Sequence, residues 1–267
     1  MAKTDRVLFI TQEITPYVSV SEMAEICRYL PQTVQENGRE IRVFMPKWGT
    51  VNERRNQLHE VIRLSGMNII IDDSDHQLII KVASIQSVRI QVYFIDNDDY
   101  FQNRLQLKDE QGKEYEDNDE RTIFYDRGVL ETVKKLRWKP DIIHCHGCIT
   151  ALIPLYLKKT YCDEPSYMDS KIVYSLYDTE FQQPFNPNFT NKVMFRGVEK
   201  EDIASMTDPV DFIQLSKVAI DHADAIVQQT ANVDPVLIEY AKQSGKPFLP
   251  YQEEGMLKAV SDFYDTI

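Results

Sequence analysis

The sequence has few cysteines and no long hydrophobic run, and both shortages restrict the class of protein. Four cysteines in 267 residues are too few for a disulfide framework, which agrees with a reducing compartment. Two of them, Cys27 and Cys162, are expected to be buried as small hydrophobic side chains. No apolar segment is long enough to cross a bilayer, and the first residues lead into a strand-like run without the apolar region of a signal peptide. These absences predict a cytoplasmic protein.

Basic residues are outnumbered by acidic ones. Lysine and arginine total 30 against 42 aspartates and glutamates, which gives a formal net charge of -12. Such a charge repels phosphate backbones and anionic lipid, so the composition argues against nucleic-acid and membrane partners. Hydrophobic residues make up 43% of the chain, enough for a sizeable core in one large α/β domain or two small ones.

The amino-terminal segment has the pattern of a strand, a crossover helix and a second strand. Residues 6–10 and 41–46 are predominantly apolar runs, typical of strands buried on both faces. From the candidate N-cap Ser21 to about residue 35, apolar residues recur at helical spacing, and Asn37-Gly38 supplies a stop signal. A βαβ unit of this length predicts parallel strands with a right-handed connection.

The rest of the chain extends this pattern. Runs at 68–71, 78–83 and 88–95 are separated by short polar turns, which favours hairpins and an antiparallel addition. Residues 108–120 form the most polar stretch and are predicted to be a solvated loop. Further elements are predicted as helices at 121–138, 211–222, 236–243 and 254–264 and as strands near 142, 172 and 225. No repeat or linker marks a second domain, so residues 1–267 are expected to form one doubly wound, Rossmann-like α/β domain with a parallel sheet.

Residues 140–150 concentrate reactive side chains at a predicted strand end. They include His144, His146, Cys145 and Cys148, and ligands bind at the carboxyl ends of parallel strands. Both histidines are therefore site candidates, with a satisfied core histidine as the alternative for His144. The C-x-x-C spacing also occurs in redox dithiols and in half of a zinc site. Side chains alternate along a strand, which separates Cys145 from the histidines and argues against a metal site.

Landmarks in a fixed order along the chain carry a resemblance to a known family. They are Val7-Leu8-Phe9-Ile10, Glu13, Pro16, Ala24, Leu30-Pro31, Arg42-Val43-Phe44-Met45-Pro46, Val92-Tyr93-Phe94-Ile95-Asp96, Tyr100-Phe101, Asp117-Asn118, Arg121, Pro140-Asp141-Ile142-Ile143-His144 with His146, and Ala223-Asp224-Ala225-Ile226. Over nearly its whole length the chain resembles the bacterial glycogen synthases and plant starch synthases. The resemblance implies the amino-terminal half of a two-domain GT-B glycosyltransferase, which passes glucose from ADP-glucose to an α-1,4-glucan with retention. No cofactor or metal is expected.

The resemblance also implies where substrates bind. Residues that match positions around the sugar cleft, the donor loop and the reacting sugar are Glu13, Ser19, Ser21, Glu25, Asp96, Tyr100, His144, His146, Tyr177 and Asp178. For the acidic candidates in the loop and in the first helical turn, a cap or a solvated charge is the alternative interpretation.

Several family residues are replaced at these positions. The family's Lys-Thr-Gly-Gly-Leu donor loop is matched by Ser19-Val20-Ser21-Glu22-Met23, so a carboxylate stands where a diphosphate would approach. The family's His-Asp-Trp-His run is matched by His146-Gly147-Cys148-Ile149, and its His-Asn pair by Tyr177-Asp178. Ile267 falls about where the family's second domain, with most of its nucleotide contacts, is expected to begin.

Two functions from different classes follow. The first is a glucosyltransferase of the glycogen or starch synthase kind, active alone or with a protein partner that supplies the second domain. The second is a non-catalytic relative that keeps a glucan-binding or partner-binding surface. A thiol or metal protein is a distant third hypothesis.

Overall fold

The computed structural model describes residues 6–267, so residues 1–5 of the expected domain lie outside the described part. The strands are β1 (Arg6–Thr11), β2 (Glu40–Pro46), β3 (His59–Glu60), β4 (Met67–Ile71), β5 (Ser74–Ile85), β6 (Ile90–Asp96), β7 (Ile142–His146), β8 (Lys171–Leu176), β9 (Ala225–Gln228) and β10 (Phe248–Leu249). The helices are α1 (Glu22–Glu36), α2 (Asn118–Leu136), α3 (Ile153–Lys159), α4 (Phe189–Val193), α5 (Phe212–His222), α6 (Pro235–Gln243) and α7 (Met256–Phe263). Short 3-10 turns lie at Cys148–Thr150, Lys200–Ile203 and Tyr264–Thr266.

The strands form one open sheet whose larger part is parallel. Its spatial order is β10-β9-β8-β7-β1-β2-β6-β5-β3, with β4 paired to β5. All neighbours from β10 to β6 are parallel, whereas β5 is antiparallel to β3, β4 and β6. The predicted α/β fold and its antiparallel addition are confirmed. One strand differs from the prediction, because β6 closes the hairpin with β5 and also continues the parallel sheet beside β2.

β1 lies in the middle of the parallel part, between β2 and β7. Its residues Val7, Leu8, Phe9 and Ile10 have no exposed surface, which explains why this run is apolar without a break. The chain leaves β1 towards β2 but continues from β7 towards β8, so the direction of winding reverses between β1 and β7. Right-handed crossovers then place α1 on one face of the sheet and α2, α3, α5 and α6 on the other. Helix α7 packs on α1.

Helix α1 begins where the sequence predicts. The backbone N–H of Ala24 donates to Ser21 Oγ at 3.0 Å, so Ser21 satisfies one of the free amide groups of the first turn. Glu22 and Glu25 lie in that turn, where the helix dipole favours negative charge. The helix ends at Glu36, and Gly38 follows with a φ of +85°.

Two expectations are wrong. Residues 108–120 are not a solvated loop throughout, because α2 begins at Asn118 and the side chain of Glu114 is buried. Glu114 accepts hydrogen bonds from the backbone N–H groups of Gln182 and Gln183, each at 2.9 Å, and the acid is buried because it fixes that distant loop. Cys162 is exposed rather than buried, since it lies beyond the end of α3; Cys27 is buried as expected.

Candidate functional site

A cavity of about 630 Å³ opens at the carboxyl edge of the sheet, where the loops after β1 and β8 meet the start of α1. This is the edge at which open parallel sheets bind ligands. The lining residues are Gln12, Glu13, Ser19, Ser21, Glu22, Met23, Thr50, Leu105, Gln106, Leu107, Lys108, Tyr177, Asp178, Thr179, Glu180 and Thr230. The predicted candidates among them are Glu13, Ser19, Ser21, Tyr177 and Asp178.

The loop after β1 is tied to α1 through Glu13 and Ser21. The hydroxyl of Ser21 donates to Glu13 Oε2 at 2.5 Å while it also caps the helix. Burial raises the pKa of Glu13, and hydrogen bonds from Ser21 and Gln12 partly oppose this shift. Glu13 and Ser21 therefore reach the cavity in fixed positions, whereas Ser19 is exposed at its rim.

Glu180, which the sequence analysis missed, holds the most perturbed carboxyl group of the cavity. Its Oε1 accepts a hydrogen bond from the backbone N–H of Cys148 at 2.8 Å. Burial, and then the neighbouring charge of Glu13, raise the pKa of Glu180 to about 8. One sequence feature could have identified Glu180: it is an acid four residues after the end of β8, in the same loop as the candidates Tyr177 and Asp178.

The loop after β7 supports the floor of this site through Gly147 and Gln12. Gly147 has a φ of +95°, a conformation that favours glycine. A Cβ atom at this position would lie 2.7 Å from the Cβ of Gln12. The absence of a side chain lets Gln12 Oε1 accept from the backbone N–H of Ile149 at 3.2 Å. The carboxyl ends of β1 and β7 are thereby locked together.

His144 and His146 lie behind the cavity and are fully buried. His146 Nδ1 is 2.8 Å from the hydroxyl of Tyr177, and His144 Nδ1 is 2.6 Å from the hydroxyl of Tyr264. Burial lowers the pKa of His146 to about 3 and that of His144 well below its usual range. Both rings are thus neutral at neutral pH and supply no positive charge to the cavity. Tyr177 connects His146 to the cavity wall.

The three remaining candidates lie outside the cavity. Asp96, at the end of β6, forms an ion pair with Lys81 at 2.8 Å. The hydroxyl of Tyr100 donates to Glu120 Oε2 at 2.9 Å and lies 2.9 Å from the Nε2 atom of His76. Glu25 is exposed in the first turn of α1. These side chains already have structural partners or face solvent, and the structure does not bring them to the cavity.

Acidic side chains dominate the charge of the cavity wall. They are Glu13, Glu22, Asp178 and Glu180. Of the lining residues, all of which lie between residues 6 and 267, Lys108 is the single lysine or arginine, and its Nζ is 3.5 Å from Glu114 Oε1. The wall therefore suits hydroxyl groups, which donate to carboxylates, better than it suits a diphosphate.

The cysteine pair has the surroundings of buried structural thiols. Cys145 and Cys148 are free and buried, and burial raises the pKa of each thiol well above its usual range. Within residues 6–267, no group of three or more histidine, cysteine, aspartate or glutamate side chains is placed to hold a metal ion. Over the same residues, no helix is long and apolar enough to span a membrane.

Comparison with known proteins agrees with the resemblance inferred from the sequence. Residues 6–233 match the family model of the starch synthase catalytic domain. The glycogen synthase of Chlorobium limicola is 35% identical over 222 residues, which are 83% of this chain and 45% of the relative. The glycogen synthase of Chlorobium luteolum is 31% identical over 263 residues, 98% of this chain and 53% of the relative. The chain thus spans about half the length of the curated relatives it matches.

A solved structure supports the same fold. The catalytic domain of starch synthase IV from Arabidopsis thaliana, bound to ADP and acarbose, superposes with a TM-score of 0.74 at 17% identity and covers 93% of this chain and 51% of that chain. This likeness shows the fold, a GT-B glycosyltransferase domain with an open, mostly parallel sheet. Since the family model extends over most of the sequence, the chain belongs to the starch synthase catalytic domain family.

Proposed function

We propose that this chain serves glycosyl transfer in glycogen or starch synthesis and binds an α-1,4-glucan at the cavity between the loops after β1 and β8. The observation that carries the proposal is the position of Glu13, Ser21, Tyr177 and Asp178 around one cavity, within the segment that matches the family. The donor expected from the resemblance is ADP-glucose, and cytoplasmic location stays a prediction from the sequence.

The composition of the wall supports a sugar ligand. Carboxylates, hydroxyls and amides alternate with apolar side chains, among them Met23, Leu105 and Leu107. Sugar hydroxyl groups can hydrogen-bond to the polar atoms while C–H faces pack on the apolar ones, a mixture that is usual in small-molecule sites. The buried Tyr177 hydroxyl, held by His146, keeps one side of the wall rigid.

A second candidate function is glucan or partner binding without catalysis. The specific observation that favours it is the acidic wall, because retaining transfer from a sugar nucleotide requires stabilisation of a leaving diphosphate. Lys108 is already close to Glu114, and the neutral His144 and His146 add no charge. If this second function is correct, glycosyl transfer would require positively charged side chains from a second domain or from a protein partner.

Titration calorimetry with maltotetraose and with ADP-glucose tests both candidates. We expect maltotetraose to bind and ADP-glucose to bind weakly or not at all to the chain alone. Absence of maltotetraose binding would refute glucan binding at this cavity. Incorporation of labelled glucose into glycogen by the chain alone, abolished by Glu13→Ala, would refute the non-catalytic candidate.

A charge-restoring variant tests the physical reason. Ser19→Lys combined with Glu22→Gly replaces a carboxylate by a cation at the cavity rim, so affinity for ADP should rise about tenfold at low salt. Ser19→Met with Glu22→Gly is the matched control, because it has a similar side-chain length without the positive charge. Equal affinities of the two variants would contradict the electrostatic argument.

A further inference from the structure

Two side chains of the cavity wall, from neighbouring strand ends, form a hydrogen-bonded pair. Asp178 lies two residues beyond the end of β8, and Thr230 lies two residues beyond the end of β9. The hydroxyl of Thr230 donates to Asp178 Oδ1 at 2.8 Å, and both residues line the cavity. The pair therefore joins the carboxyl ends of β8 and β9 at the wall, through a residue, Thr230, that the sequence analysis missed.

Thr230 is the fixed member of this pair. It is only 3% exposed, and its carbonyl accepts from Gln228 Nε2 at 3.2 Å. The backbone N–H of the preceding residue, Gln229, donates to the carbonyl of Leu176 at 2.9 Å, which holds the segment against β8. A hydroxyl group has one proton to donate, and Thr230 donates it to Asp178. The position of one carboxylate oxygen is therefore set by a rigid donor.

Asp178 is the member of the pair that a ligand can reach. The residue is exposed, and within residues 6–267 neither a hydrogen bond nor an ion pair engages its Oδ2 atom. A carboxylate only accepts hydrogen bonds, and a bond to an ionised acceptor is stronger than one to a neutral acceptor. The Oδ2 atom thus fits a ligand that donates, as a sugar hydroxyl group does.

We propose that Thr230 is a positioning residue of the sugar site, which holds Asp178 by Oδ1 so that Oδ2 accepts a hydrogen bond from a hydroxyl group of the glucan. This proposal rests on the proposed glucan binding, and it adds the contacting atom and the residue that orients it. An exposed aspartate without such a bond can change rotamer, and immobilising it on binding lowers the affinity. The bond from Thr230 fixes the rotamer before the sugar arrives.

Titration calorimetry with maltotetraose tests the pair. Thr230→Val keeps the shape of the side chain and removes the donor, so the affinity should fall about three- to tenfold. Thr230→Ser retains a hydroxyl group and should restore the affinity to within about twofold of wild type. Asp178→Ala removes the acceptor itself and should weaken binding about tenfold or more.

A double-mutant cycle separates positioning from a general effect on stability. Because Thr230 acts through Asp178, Thr230→Val should weaken binding no further when Asp178→Ala is already present. Thr190→Val is the matched control, since Thr190 Oγ1 donates to Asp208 Oδ2 at 2.7 Å and neither residue lines the sugar cavity. This control should lower the midpoint of urea unfolding as Thr230→Val does, but leave the affinity for maltotetraose unchanged.

The outcomes distinguish this inference from the proposed function. Unchanged binding in Asp178→Ala, or the same loss from Thr230→Val with and without Asp178, would overturn the inference and leave glucan binding intact. Absence of binding by the wild-type protein would overturn both. Near-ultraviolet circular dichroism checks the fold of each variant, and Thr230→Ala, which also lacks the hydroxyl group, takes the place of Thr230→Val in the cycle if the latter does not fold.

Discussion

Replacing Gly147 by alanine should lower the free energy of unfolding by about 2–6 kcal/mol, because two separate costs meet at this residue. Its φ of +95° and ψ of 158° lie in a region almost restricted to glycine, which costs another residue about 1–3 kcal/mol. The new Cβ would also lie 2.7 Å from Gln12 Cβ and 2.9 Å from Gln12 Oε1. Relief by movement of Gln12 is opposed, since its carbonyl accepts from Trp48 Nε1 at 2.7 Å and its N–H donates to His146 at 3.0 Å. Overpacking of this kind costs about 1–3 kcal/mol.

Urea unfolding followed by circular dichroism measures this loss, and Gly66→Ala is the matched control. Gly66 has a φ of +86°, but a Cβ there meets no atom within 4 Å. The control should therefore lose only about 1–2 kcal/mol, the conformational part. Gly147→Ala should in addition weaken maltotetraose binding, because Gln12 lines the cavity. Equal losses of stability in the two variants would refute the clash argument.

Three further predictions follow from buried groups. Tyr264→Phe removes the hydroxyl that lies 2.6 Å from His144 Nδ1 and should lower the free energy of unfolding by about 1–3 kcal/mol. An unchanged midpoint of urea unfolding would contradict the presence of that hydrogen bond. In the native protein only the exposed Cys162 should react quickly with a thiol reagent, whereas all four thiols react after denaturation; fast native reaction of a second thiol would contradict the burial. Since the pKa of Glu180 is raised from 4.5 to about 8, its stabilising effect is complete below pH 4.5 and is lost as pH rises through 8. Glu180→Gln should remove that part of the pH dependence, and unfolding curves at several pH values test whether it does.

The acidic wall of the cavity differs from the cationic donor loop that the family resemblance implies. Glu22 lies on the wall at the position of a family glycine, and the histidines behind the wall are held neutral by burial. Membership of the family and the acidic wall therefore lead to different expectations for donor binding. The charge-restoring variant addresses this difference directly.

The sequence by itself determined the fold class and the elements that lead to the site. Residues 7–10 and 43–45 are apolar without a break because these parts of their strands are buried on both faces, and this requirement is visible locally. The cap at Ser21 was equally predictable, since capping depends on residues three positions apart. Half of the predicted site residues reach the cavity because they follow strand ends on one edge of the sheet.

Only the tertiary structure decided the chemistry of the site. Asp96 and Tyr100 also lie at or just after a strand end, but they are paired away from the cavity. Asp96 forms an ion pair with Lys81, and Tyr100 contacts Glu120 and His76. Glu180 has its raised pKa because its carboxyl group is buried near Glu13 and Cys148, residues remote from it in sequence. Local sequence patterns indicate which residues are buried and whether they form a helix or a strand. The protonation of a carboxyl group depends instead on the burial and charge that distant segments create when they pack.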